Sequence, residues 1–206
     1  MDRITLKQKA KESLQGKYGE AILVILIGGL ITGVGSGIYE FGSHFENLFL
    51  ILFGQILSFI ASGFISFGSL SFYLKIARGE DVEFNELFKK TNLFIPYVLI
   101  SLLTSLFAIL WGFLFIIPGI IASISYSQAM LITLENPEMD AMSAIKKSKE
   151  LMQGHKMDYF ILNLSFIGWG ILGIFTCGIL YFWLIPYISV TQMHFYDALL
   201  EESKNK

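Results

Sequence analysis

Residues 114–130 read LFIIPGIIASISYSQAM, a Pro-Gly pair followed by a file of hydroxyls inside an uncharged tract. Three readings of this stretch give three different proteins: a kinked membrane helix, the broken helix of a transporter, or a hairpin between two spans. The flanking charges decide between them. No Asp, Glu, Lys or Arg occurs from Leu93 to Leu134 or from Tyr159 to Tyr196, and Leu48–Ala77 holds only Lys75. Apolar tracts longer than about 18 residues are candidate transmembrane helices.

Lys and Arg near span ends stay on the cytoplasmic side, while Asp and Glu carry little topological weight. The 15 basic residues fall into four groups: Arg3, Lys7, Lys9, Lys11 and Lys17; Lys75, Arg78, Lys89 and Lys90; Lys146, Lys147, Lys149 and Lys156; Lys204 and Lys206. With every group inside, the chain crosses an even number of times between neighbouring groups. A single kinked helix over 93–134 would put Lys146 outside, so this tract reads as two spans. Pro118 and Gly119 then lie at or just past the outer hairpin turn, where a proline's missing N–H is needed least. A re-entrant hairpin over 108–124 gives the same parity and stays open.

The expected fold is therefore all-α, a polytopic transmembrane helix bundle of about six spans with both termini cytoplasmic. The spans are placed at 20–39, 48–75, 94–115, 118–134, 158–175 and 179–196, in a single membrane domain covering 1–206. The second is longer than a bilayer requires, and Gly63 and Gly68 are its expected flex points. Composition agrees: 54% of residues are hydrophobic and only 16% charged, against roughly 25% in a soluble domain. About twenty polar and basic residues precede the first apolar tract, which reads as a retained span rather than a signal peptide. The single cysteine, Cys177, excludes an internal disulfide.

Short amphipathic segments lie between and beside the spans. Residues 1–17 form a basic interfacial helix in which Leu6, Ala10 and Leu14 repeat at i, i+4, i+8. A segment that only sets topology is the alternative. Residues 137–154 form a cytoplasmic helix with Asn136-Pro137-Glu138 as its start and Gly154 as its stop. Its face Ala141, Ile145, Ser148 and Met152 must dock on the bundle or on a partner. A shorter set, Phe84, Leu87 and Phe88, repeats the idea.

Polar uncharged residues offer the candidate site. Gln55, Ser58, Ser62 and Ser66 follow one face of the second span, and Ser123 and Gln128 lie on the fourth. Two readings apply: helix packing through interhelical hydrogen bonds and small residues, as in Gly29-Leu30-Ile31-Thr32-Gly33, or a polar seam between the two spans that holds a lipid headgroup. No mid-span ionisable residue marks an ion pathway. His44, His155 and His194 do not form a metal signature, and no P-loop, GxSxG elbow or dinucleotide fingerprint occurs. No basic groove with interleaved aromatics suggests nucleic acid.

Leu6-Lys7 with Ala10-Lys11; Ile116 to Ile121 followed by Ser125-Tyr126; Ala144-Ile145 with Ser148-Lys149 and Met152 to Lys156; Leu164 to Trp169; and Pro186-Tyr187 ahead of Phe195-Tyr196 together resemble the domain-of-unknown-function 975 family of bacterial integral membrane proteins. The resemblance implies a multi-pass protein of a bacterial cytoplasmic membrane and assigns no catalytic residue. The expected function is non-enzymatic, needing no cofactor or metal: binding membrane lipids, another membrane protein or a second copy of itself in the envelope. The alternative is a small transporter or lipid translocase, favoured by the hydroxyl-bearing faces and disfavoured by the missing coupling residue.

Overall fold

The computed structural model describes residues 2–204; Lys206, counted above among the basic residues, lies outside them. The chain is all α, with no strand among the described residues. Helix α1 (Arg3–Ser13) starts at Asp2, whose carboxylate accepts from the amides of Ile4 and Thr5 at 3.1 and 3.2 Å. Those bonds satisfy N–H groups that a helix start leaves unpaired. A turn through Gly16, at φ +80°, leads into α2 (Tyr18–His44).

Helix α2 and α3 (Leu48–Ala77) form an antiparallel hairpin held by small residues seven apart. Ala21, Gly28, Gly35 and Gly42 are buried on α2, and Gly54, Ala61 and Gly68 on α3. A seven-residue repeat keeps one face turned to a partner along the whole helix, and small side chains let backbones approach. A Cβ on Gly35 would stand 2.5 Å from Ser58 Oγ, and one on Gly42 would stand 2.7 Å from the amide of Ile51. Gly29 and Gly33, the small pair read from the sequence, face open space instead. The expected flex points are also contacts. A Cβ on Gly63 would meet the Phe94 ring at 2.7 Å, and one on Gly68 would meet the Leu87 carbonyl carbon at 2.6 Å. Leu87 belongs to a short 3-10 turn, Phe84–Phe88, tucked against α3.

Helices α4 (Phe94–Leu114) and α5 (Ile116–Tyr126) form a second hairpin, turned at the extended residue Phe115. Pro118 sits in the first turn of α5, and a Cβ on Gly119 would come 2.9 Å from Gly112 Cα, so the arms touch at their closed end. The span expected over 118–134 is not one helix. It breaks at Ser127-Gln128 and resumes as α6 (Ala129–Glu135). After α7 (Ala141–Leu151), α8 (Lys156–Phe175) and α9 (Tyr181–Lys204) pack antiparallel across a turn at Cys177-Gly178. Helix α7 starts later than read from the sequence. Asp140, not Asn136, accepts from the Ser143 amide at 3.0 Å, while the Asn136 side chain donates back to Ile132 O at the end of α6.

Five helical segments are long and apolar enough to cross a membrane: α2, α3, α4, α5 with α6, and α8. The sixth expected span, 179–196, falls mostly on α9, which is not among them; Thr191, Gln192, His194 and Asp197 lower the hydropathy of that helix. It tolerates them because it is the central helix, packed by α1, α2, α3, α7 and α8, with Val190, Thr191 and Phe195 fully buried. Buried side chains such as Leu14, Phe72, Leu87, Ile132, Met152 and Tyr196 lie toward the end that carries the basic residues. At the other end, apolar residues such as Val34, Phe49, Phe113 and Phe175 are exposed, as a lipid-facing surface requires.

Candidate functional site

The six residues of the expected seam fall in three places. On α3, Ser62 donates to Ser58 O and Ser66 to Ser62 O, both at 2.7 Å. Such back-bonding satisfies the hydroxyl within its own helix. Ser58 faces Gly35 in the α2 interface, and Gln55 is exposed beyond it. Ser123, far from these, donates to Gly119 O at 3.0 Å and lines recesses between α4, α5 and α8. Gln128 is buried at the α5–α6 break, its side-chain amide donating to Ser127 Oγ at 2.8 Å. No seam therefore runs between α3 and the α5–α6 pair.

Ser62 and Ser66 instead line a groove between α2, α3 and α9 of about 420 Å³. Its walls carry the hydroxyls of Thr32, Ser62, Ser66, Ser69, Tyr73 and Ser189, and its rim includes the exposed Gly29 and Ile185. Thr32 is also self-satisfied, donating to Gly28 O at 2.8 Å. Among the described residues, no acid, base or histidine lines the groove. Sequence reading found the α3 hydroxyls and paired them with the wrong helix, because a hydroxyl face on a helix does not say which neighbour covers it.

The amphipathic face of α7 docks on its own chain. Ile145, Ser148 and Met152 are buried and Ala141 half-buried, and Ala144, which the stripe missed, is fully buried beside them. Ser148 accounts for the break in the preceding span. Its hydroxyl donates to Ser125 O at 2.8 Å and accepts from the Gln128 amide at 3.1 Å. These are backbone groups that the interruption frees from the helical ladder, and burial without partners would be costly.

Two ionic clusters close the basic end. Arg78, just past α3, donates to Asp197 of α9 at 2.7 Å and pairs with Glu135 of α6 at 2.6 Å, while Tyr196 donates to the other Glu135 oxygen at 2.7 Å. The hydrogen bonds from Arg78 to Asp197, and then those to Glu135, push its already high pKa further up. One cation thereby ties the ends of α3 and α6 to the body of α9. Glu86, buried in the 3-10 turn, accepts from Lys75 at 3.0 Å and Lys89 at 2.5 Å. Burial alone would raise its carboxyl, but the bonds from Lys89 and Lys75 outweigh this and hold it below the ordinary carboxylate range. The partner that Glu135 and Asp197 share lies 57 and 119 residues away from them in the chain, so sequence spacing does not reveal it. No group of three metal-ligating residues occurs among the described residues.

Fold and grooves together define an all-α membrane protein built from helical hairpins and closed at one end by amphipathic segments. The chain belongs to the family described as protein of unknown function DUF975, matched over residues 1–122 and 113–203. No curated protein and no solved structure matches it.

Proposed function

We propose that this chain is a non-enzymatic, multi-pass protein of the bacterial cytoplasmic membrane that binds lipid in the groove between α2, α3 and α9. The observation that carries this reading is the groove's chemistry: six hydroxyls, no charge, and a rim open at Gly29 and Ile185. Ser62, Ser66 and Thr32 spend their protons on their own helices and keep lone pairs for a ligand's donors. The hydroxyls of Ser69 and Ser189 line the same groove and are placed to donate to ester oxygens. Hydroxyls with no base beside them are poor nucleophiles, which favours binding over catalysis.

Native mass spectrometry of the full chain released from gentle detergent tests this, with Gly29→Leu as the blocking variant. A Cβ at Gly29 meets nothing within 4 Å, so the larger side chain fills the rim without disturbing the α2–α3 contacts. The wild type should retain lipid at fixed stoichiometry and Gly29→Leu should lose it with unchanged melting temperature. A lipid-free wild type, or equal retention by both, overturns the reading.

A further inference from the structure

The basic helix α1 does more than lie at the surface. Its Lys7 ammonium sits 4.1 Å over the Phe166 ring and 3.4 Å from Ser165 O, both on α8, and Lys11 sits 5.8 Å over the Tyr187 ring of α9. Phe166 and Tyr187 pack edge to face at 5.4 Å, so the two lysines share one aromatic floor. Ser165 lies nine residues into α8, about 13 Å along the helix at 1.5 Å per residue. Arg3 precedes Lys7 on the same side of α1, as Lys11 follows it, each four residues away. None of the three has a carboxylate within ion-pair distance among the described residues; Asp2 caps α1 itself and Glu12 accepts from Gln8.

We propose that Lys7 and Lys11 hold the phosphate of an anionic phospholipid of the same leaflet, over the Phe166–Tyr187 pair. Cations without a carboxylate partner this far along a span are uncommon without a function, and local thinning of the bilayer brings the headgroup phosphate down to them. Burial, with the charges of Arg3 and then Lys11, holds the Lys7 pKa below the ordinary lysine value. A bound phosphate relieves that penalty. The site is separate from the α2–α3–α9 groove, and it rests on the lipid-binding reading while naming a second, charge-selective position.

The test is lipid competition on the full chain in nanodiscs, followed by native mass spectrometry, with phosphatidylglycerol against phosphatidylcholine. Wild type should prefer phosphatidylglycerol, and Lys7→Gln/Lys11→Gln should lose roughly 30-fold of that preference. Lys7→Arg/Lys11→Arg should keep it, and Lys9→Gln, on the opposite side of α1, should leave it unchanged. Equal preference in wild type and the Gln double variant overturns the site, and so does an equal loss in Lys9→Gln. Displacement of phosphatidylglycerol by millimolar inorganic phosphate overturns the assignment to a lipid source. Retention of phosphatidylcholine without headgroup preference sinks this proposal alone, whereas retention of neither lipid sinks the groove reading as well.

Discussion

Gly54→Ala should unfold the α2–α3 hairpin far more readily than Gly29→Ala, although both add one methyl to a glycine in a membrane helix. At Gly54 the new Cβ would stand 2.8 Å from Gly35 O and 2.8 Å from Tyr39 Cα. Ordinary carbon contacts lie at about 3.5–4.0 Å, so the helices must part by roughly 1 Å. A gap of that size forfeits a quarter to a half of each dispersion contact it opens. With an overpacking strain of about 1–3 kcal/mol, the cost should come to about 3 kcal/mol. At Gly29 the methyl meets nothing within 4 Å, and the change should lie within about 0.5 kcal/mol of neutral. Unfolding by added SDS in mixed micelles, followed by tryptophan fluorescence, measures both. Equal destabilisation by the two variants would refute the seven-residue register and restore Gly29 and Gly33 as the contact pair.

Ser148→Val should cost about 1–3 kcal/mol, because it strands the Gln128 amide and Ser125 carbonyl where water cannot reach them. Hydrogen exchange should then rise at Gln128 before it rises elsewhere in the α5–α6 segment. Glu86, whose carboxyl is held low, contributes stability that is fully present above the ordinary glutamate pKa and is lost as pH falls through its depressed value. Melting temperature between about pH 3 and 5 should fall less steeply for Glu86→Gln than for wild type. An impermeant maleimide should label Cys177, the single and exposed cysteine, in intact cells.

Much of this arrangement is written in the apolar tracts. The hairpin turn beside Pro118 follows from counting where Lys and Arg fall, and the structure puts its extended residue at Phe115. The break at Ser127-Gln128 was not legible, because neither residue ends a helix by itself; the interruption is stabilised by Ser148, 20 residues further on. Helix packing was half legible. Gly29 and Gly33 match a familiar small-residue pattern, but Ala21, Gly28, Gly35 and Gly42 carry the contact, and their spacing of seven was the signal to follow. For α7, Asn136 and Asp140 are both good cap residues, and only the structure shows that Asn136 is spent closing α6. The hydroxyls of Ser62 and Ser66 were visible as a face, while Thr32 of the preceding helix and Ser189 of the distant α9, which complete the groove, give no sign in the sequence that they meet it.

The most direct test of lipid binding is photolabelling in vesicles with a phospholipid carrying a photoreactive acyl chain, followed by peptide mapping of the full chain. Labels concentrated at Gly28, Ile65, Ser66 and Ser69, and displaced by excess unlabelled lipid, are the predicted result. Labels spread evenly over exposed residues such as Leu30, Phe113 and Ile174, and not displaced, would contradict it.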